Sequence, residues 1–263
     1  MRVDTIAVGG ASLSLQQRTF HGSARGTTDA TGTTLWPTAL PLLLHLQGAY
    51  PELQKGLGVS RPLRVLELGA GCGLLGLGLA ATCGAHVTLT ESGSALTEDG
   101  EETSLTWLEG NVELNRKACE SGGGRVSAAK LAWGDADDIS AVQLGEPGGF
   151  DLCIASDVMY DSTRYPELWS TLELFAGSSP EARALTPPRE PPNTLAEALP
   201  AAAAIFGYQI RNGAERRFGD GSETHAVVRA DLVSDKAGSG RNPTGKSVAY
   251  IVRKAAGDVA AAG

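Results

Sequence analysis

The chain has 263 residues, 42% of them hydrophobic, and a formal net charge of −8. That is enough chain for one sizeable core, and the acidic balance argues against tight, non-specific nucleic-acid binding, which needs a basic surface. Cys72, Cys83, Cys119 and Cys153 form no CxxC pair and the four histidines are scattered, so no metal site and no disulfide framework is expected.

In chain order, Thr5–Val8, Gly9-Gly10 and Ser12–Leu15 read as a β-hairpin. Met1 to Gly10 lack a basic start followed by a long apolar segment, and no stretch reaches membrane-spanning length. No signal peptide and no membrane contact are therefore expected, and the cytoplasm or the nucleus is the expected location. A polar stretch from His21 to Thr34 leads into Leu35-Trp36-Pro37. Pro37 suits the first turn of a helix over Thr38–Leu46, and Pro51, Gly56 and Gly58 mark the end of that region.

Residues Leu63 to Gly76 read LRVLELGAGCGLLG. An apolar run ends in glycines at 69, 71, 73 and 76, and apolar residues then resume: a buried strand, a tight glycine turn and the start of a helix running to about Cys83. Such a turn lets backbone N–H groups approach a ligand closely. Gly71, Gly73 and Gly76 also satisfy GxGxxG, which leaves a dinucleotide open. Glu67, just before the turn, suits a cationic ligand better than a pyrophosphate.

Ala85–Thr90 reads as a second strand ending at Glu91, where an acid accepts hydrogen bonds from a ribose; a solvated loop acid is the plainer reading. Ser92 to Glu109 is acidic and irregular, with helical spacing around Leu105, Leu108, Val112 and Leu114. Arg125–Trp133 is a third strand; Trp133 at its end packs an adenine or is a core tryptophan. Phe150–Ser156 is a fourth strand, followed by Asp157-Val158-Met159-Tyr160 and a helix over Ser162–Phe175. In an open α/β sheet ligands sit beyond the carboxyl ends of the strands, which directs attention to Asp157 and Tyr160; a helix N-cap with a packed tyrosine would leave the same trace.

Ser178–Pro200 holds six of the thirteen prolines and is expected to be a flexible insertion without packed structure. Ala201–Arg211, Thr224–Leu232 and Ser247–Arg253 complete seven strands, with only Ala214–Phe218 as helix after the fifth and a loop over Ser234–Lys246. Strands alternating with helices give a mainly parallel sheet covered on both faces, and the last two, with no helix between them, pair antiparallel. The alanine-rich tail, 255–263, is expected to be disordered.

Together these segments resemble the seven-β-strand (class I) protein-lysine methyltransferases, a family of S-adenosyl-L-methionine (SAM) dependent enzymes. The motifs that carry the resemblance are Leu35-Trp36-Pro37, Glu67 to Gly76, the NVxxN segment Asn111–Asn115, the LxWG turn Leu131–Gly134, and the D-x-x-Y motif Asp157–Tyr160. The resemblance implies an α/β Rossmann-like methyltransferase sheet over residues 35–254, mainly parallel with an antiparallel last strand, preceded by an N-terminal hairpin and linker over 1–34. It implies SAM as cofactor, held by Trp36, Glu67, Gly69, Ala70, Gly71, Glu91, Trp133 and Ser156. Asp157 and Tyr160 would hold the lysine of a protein substrate and serve in catalysis. A monomer is expected. Transfer to a protein histidine or arginine or to a small molecule, a SAM-binding interaction module, and a nicotinamide enzyme are the other readings. The acidic stretch after Glu91, the proline-rich insertion and the shortened helix after Arg211 depart from the family pattern.

Overall fold

The computed structural model describes residues 2–18, 31–185, 192–209, 218–219, 222, 225–231 and 246–253. The chain opens with strands β1 (Arg2–Val8) and β2 (Ala11–Gln17), paired antiparallel from Arg2↔Gln17 to Val8↔Ala11. Gly9 and Gly10 form the two-residue loop with φ of 54° and 85°, the left-handed backbone that a tight hairpin turn requires.

Helix α1 (Ala39–Leu57) is followed by β3 (Arg64–Glu67), α2 (Leu74–Cys83), β4 (His86–Glu91), α3 (Ser104–Ser121), β5 (Arg125–Lys130), α4 (Ala136–Gly145), β6 (Leu152–Ser156) and α5 (Tyr165–Phe175). Two short helices, α6 (Pro180–Ala184) and α7 (Leu195–Ala198), precede β7 (Ala202–Gln209), β8 (His225–Asp231) and β9 (Lys246–Arg253). The seven later strands form one sheet in the order β5-β4-β3-β6-β7-β9-β8. β3, β4, β5, β6 and β7 run parallel, and β9 lies antiparallel between β7 and β8. This is the expected Rossmann-like sheet with its antiparallel end and its separate hairpin.

Alternation along the strands builds two cores. Val65, Ile205 and Tyr250 point to the face covered by α1, α2, α3 and the hairpin leucines Leu13 and Leu15. Their neighbours Leu66, Phe206 and Ile251 point to the other face, against Val142 of α4 and Leu168, Leu172 and Phe175 of α5. Strand order reverses between the paired strands β3 and β6, so the chain leaves them toward opposite faces, to α2 and α5, and a crevice opens beyond their carboxyl ends, where open α/β sheets bind ligands.

Several elements differ from the sequence expectation. α1 runs through Pro51 to Leu57: the proline removes one N–H, but Tyr50, Leu53 and Leu57 keep the helical burial spacing and hold the helix on the core. α4, unexpected between the third and fourth strands, is capped by the Asp135 carboxylate, which accepts the N–H groups of Asp137 and Asp138. Only Val142 of its residues is buried, which leaves a faint apolar stripe to read. α3 begins at Ser104, one residue before the helical spacing at Leu105 and within the acidic stretch that ends at Glu109, because Thr103 and Thr106 form a reciprocal cap. The third strand stops at Lys130, and Trp133 lies beyond it. The alanine run at 202–204, by contrast, is strand as expected of Ala201–Arg211, buried between β6 and β9, where small side chains fit.

The segment 178–200 is packed at both ends, contrary to expectation. Ser179, Ala182 and Ala198 are buried, and the Glu181 carboxylate pairs with Arg64 at 2.8 Å and Arg61 at 3.1 Å. Ala182 and Ala198, the partly buried Leu185, Leu195 and Leu199 packed on the core, and the Glu181 ion pairs dock short helices whose caps, Ser179 and Thr194, are satisfied. Residues 186–191, Ala214–Arg217 of the shortened helix, the loop at 234–245 and the tail at 255–263 lie outside the described residues. Among the described residues, no helix is long and apolar enough to cross a membrane.

Candidate functional site

The crevice between β3 and β6 is a cavity of about 300 Å³. The glycine turn after β3 forms its floor: Gly69, Gly71 and Gly73 have φ of 62°, 56° and 82°, a backbone that other residues rarely adopt. A Cβ at Gly69 would sit 2.9 Å from Val158 Cγ1, and one at Gly71 would sit 3.3 Å from the Gly32 carbonyl oxygen. The segment Thr31–Trp36 therefore lies close over the turn, where the Cys72 thiol reaches the Gly32 carbonyl at 3.7 Å, and it is closed on itself by the Trp36 Nε1–H donating to the Thr31 carbonyl at 3.0 Å.

The cavity brings together Trp36, Gly69, Ala70, Gly71, Glu91, Trp133, Ser156, Asp157 and Tyr160. Sequence reasoning named all of these. Leu74, Leu75 and Leu131 add apolar wall, while Asp161 and Arg164 join Glu91 and Asp157 as its charged groups. Glu91 closes β4, and its Oε1 accepts the Gly71 N–H at 2.7 Å, tying the strand end to the turn. Cys72 also lines the cavity, but burial pushes its thiol up to about 12, so it is no nucleophile at neutral pH. Among the described residues, no cluster of three or more His, Cys, Asp or Glu side chains is placed to hold a metal ion.

Glu67 departs from the expectation. It does not line the cavity; it is 1% exposed and its Oε2 accepts the Gly76 N–H of α2 at 2.9 Å. Burial, with a smaller contribution from the Glu91 charge and against the Gly76 bond, pushes its carboxyl up to about 8. Burial favours the protonated form, and from behind the turn Glu67 presents no carboxylate to a ligand in the cavity. A Cβ on Gly76 would lie 2.5 Å from Glu67 Oε2, so the third glycine of the GxGxxG spacing makes room for this carboxyl.

Asp157 follows β6 with φ of 56°, the only positive value among the described residues other than glycine. Strained backbone of this kind persists where the surroundings over-determine it, and it clusters at functional sites. Its N–H donates to the Gly207 carbonyl of β7 at 2.9 Å. Its carboxylate accepts the backbone N–H of Thr38 at 3.1 Å and the Thr38 hydroxyl at 2.9 Å. Tyr160, 47% exposed, stands at the rim, and the Tyr165 hydroxyl donates to the Met159 carbonyl to hold the turn between them.

Sequence reasoning missed Thr38, which lies 119 positions from its partner. It also left Asn111 and Asn115 without a role. Asn111 donates to the Cys72 carbonyl at 3.0 Å and the Gln16 carbonyl at 3.2 Å, and its Oδ1 accepts the Gln16 N–H at 2.7 Å. Asn115 makes the same two-way exchange with Ser14, at 2.8 Å each way. The two asparagines pin the hairpin to α3, and Asn111 extends that link to the glycine turn. Their signal was two buried amides on the otherwise apolar face of a helix.

A model of a lysine methyltransferase family matches residues 19–186. The protein N-lysine methyltransferase METTL21A of Danio rerio is 34% identical over 144 residues, which is 53% of this chain and 53% of that protein. The calmodulin-lysine N-methyltransferase of Arabidopsis thaliana is 30% identical over 168 residues, 63% of this chain and 48% of that protein. The EEF1A lysine methyltransferase 3 of Mus musculus is 29% identical over 143 residues, 54% of this chain and 50% of that protein. The chain thus spans about half the length of these curated relatives. Among solved structures, a SAM-dependent methyltransferase from Agrobacterium tumefaciens aligns over 95% of this chain and 70% of its own, at 14% identity and a TM-score of 0.49.

Proposed function

The chain belongs to the lysine methyltransferase family, and from that premise we propose that it transfers a methyl group from SAM to the side-chain nitrogen of a lysine in a protein substrate. The observation that carries the proposal is the meeting, in one cavity, of the β3–glycine–α2 turn with Glu91 and the Asp157–Tyr160 turn at the end of β6.

The lining fits SAM. Glu91, an acceptor at the end of β4, suits ribose hydroxyls; Trp133 and Leu131 offer apolar surface for an adenine. Gly69, Ala70 and Gly71 present bare backbone, and Trp36 and Ser156 close the sides. Three carboxylates against one guanidinium, from Glu91, Asp157, Asp161 and Arg164, suit a ligand with a cationic centre. Glu67 supports the site from behind by fixing α2 to β3.

SAM supplies a methyl group already activated on sulfonium, so no covalent enzyme intermediate is needed. The remaining tasks fall to this chain. A lysine amine attacks only when neutral, and in water its pKa is about 10.4. Entry into a narrow, partly apolar channel beside a cation lowers that value. Asp157, which lines the cavity, would accept N–H bonds from the amine and orient it toward the methyl group that bound SAM would supply. Because its negative charge also opposes deprotonation, its role is positioning, and the proton passes to water. Tyr160 forms a ring wall along the amine stem, with cation–π attraction for the charged form. The lysine nitrogen would gain the methyl group as sulfur loses it, giving methyl-lysine and S-adenosylhomocysteine.

On the same reading the protein acts as a monomer in the cytoplasm or nucleus, on a protein and not on nucleic acid or membrane. The chain's charge of −8 supports a substrate with basic residues around the target. Calorimetry tests the cofactor: SAM and S-adenosylhomocysteine should bind with NAD much weaker, and comparable or tighter NAD binding would overturn the proposal.

A further inference from the structure

We infer that Thr38 is a positioning residue that acts on the reacting amine through Asp157, an inference that rests on the role proposed above for Asp157. Thr38 is fully buried and does not line the cavity, so it cannot touch a ligand itself. Both of its donors nevertheless converge on one carboxylate: its N–H on Oδ2 at 3.1 Å and its hydroxyl on Oδ1 at 2.9 Å. Each oxygen is thereby fixed, and the plane of the carboxylate with them. A carboxylate accepts about four hydrogen bonds, of which Thr38 supplies two.

The surroundings are built for this contact. Asp157 adopts its φ of 56° while its own N–H is held by the Gly207 carbonyl. Gly207 in turn admits the start of α1: a Cβ there would lie 3.0 Å from Thr38 Cγ2 and 2.8 Å from Leu42 Cδ2. Three elements, the end of β6, the middle of β7 and the N-terminus of α1, therefore define one carboxylate orientation at the cavity. Thr38 stands at the N-cap position of α1 but its backbone is already helical, with φ of −85° and ψ of −23°, so its side chain caps no amide of its own helix; its hydroxyl proton goes to Asp157 instead. The helix N-terminus adds partial positive charge facing the same group. A hydroxyl that caps nothing in its own helix and donates to a carboxylate 119 positions away marks a positioning contact more than a helix-stabilising one.

Sinefungin, in which C–NH3+ replaces the sulfonium S–CH3, reads this geometry without a protein substrate, since its amine lies where the reacting groups meet. The test measures sinefungin against S-adenosylhomocysteine affinity in the wild type, Asp157→Asn, Thr38→Val, Thr38→Ser and the double variant Thr38→Val/Asp157→Asn. The wild type should prefer sinefungin, and Asp157→Asn should lose that preference. Thr38→Val should lose about 10-fold or more of it, the scale of a charge-assisted hydrogen bond, with S-adenosylhomocysteine affinity nearly unchanged. Thr38→Ser should restore it, and Thr38→Val should change nothing further in the Asp157→Asn background. If Thr38→Val does not fold, Thr38→Cys, similar in size with a weaker donor, takes its place. A preference lost in Asp157→Asn but kept in Thr38→Val would overturn this inference alone. No preference in the wild type, or one kept in Asp157→Asn, would overturn the role of Asp157 and this inference with it.

Discussion

The Glu67 carboxyl and the Gly76 amide, 2.9 Å apart, join the end of β3 to the first turn of α2 beneath the glycine turn. Because the folded-state pKa of Glu67 is raised to about 8 from an ordinary 4.5, the folded protein holds this proton more tightly than the unfolded chain. The resulting stability is present in full below about pH 4.5 and is lost as pH rises through about 8. Glu67→Gln keeps an acceptor for Gly76 and removes the titration. Urea unfolding at pH 5 and pH 8 should show wild-type stability falling between the two pH values more than that of the variant. S-adenosylhomocysteine affinity should stay within about threefold; a large loss would mean that the ligand reads the Glu67 charge after all.

Gly76→Ala tests the same junction sterically. Its Cβ would meet Glu67 Oε2 at 2.5 Å and Val87 Cγ1 at 2.9 Å, and such overpacking costs about 1–3 kcal/mol. Thermal denaturation should show the loss, and combining it with Glu67→Ala, which clears the space, should bring a penalty smaller than the sum of the two.

Asn111 and Asn115 separate fastening from cofactor binding. Either residue changed to alanine leaves backbone groups of the hairpin without their partners, at about 1–3 kcal/mol. Only Asn111 also holds the Cys72 carbonyl of the glycine turn. Asn111→Ala should therefore weaken S-adenosylhomocysteine binding measured by calorimetry, while Asn115→Ala should lower stability and leave that affinity close to wild type.

At the opposite end of the sheet, Asp151 is fully buried. It accepts both Arg61 guanidinium nitrogens, at 2.6 and 3.0 Å, and the Arg64 N–H at 2.7 Å. Burial alone would raise its pKa, but the hydrogen bonds from Arg61, Ser179 and the Arg64 amide outweigh it and hold the carboxyl below its usual value. Its contribution is present above the unfolded value near 3.8 and is lost as pH falls. Asp151→Ala should cost about 1–3 kcal/mol, because the buried acceptor of the Arg64 N–H and of two Arg61 nitrogens is lost while both arginines keep Glu181, whereas Glu181→Ala, at the exposed edge of the cluster, should cost under about 1 kcal/mol. Chemical denaturation of the two variants checks the contrast.

The glycine-turn half of the cavity was legible because its parts are local. A strand, a glycine turn and a helix follow one another in a single segment, and Glu91, Trp133 and Ser156 sit at or just past strand ends. The rest depends on contacts far apart in sequence. Thr38 reaches Asp157 across 119 positions and Asn111 reaches Gln16 across 95, and neither pairing leaves a periodic trace. The inward turn of Glu67 was also hidden: a strand-end acid looks the same in sequence whether it faces a ligand or a helix amide. Pro51 misled because the break rule describes the backbone alone, whereas Tyr50, Leu53 and Leu57 hold the helix through packing.

The most direct measurement of the central claim is the identity of the methylated atom. The protein is incubated with isotopically labelled SAM and a host lysate, the labelled protein is isolated, and the label is mapped by mass spectrometry. Lysine ε-nitrogen should carry it. Labelling should vanish with Gly71→Arg, which fills the space above a turn whose φ is 56°, and should fall by roughly 100-fold with Asp157→Asn, the scale of a lost positioning contact. Label on a histidine, an arginine or a small molecule, or wild-type labelling by Asp157→Asn, would contradict the account.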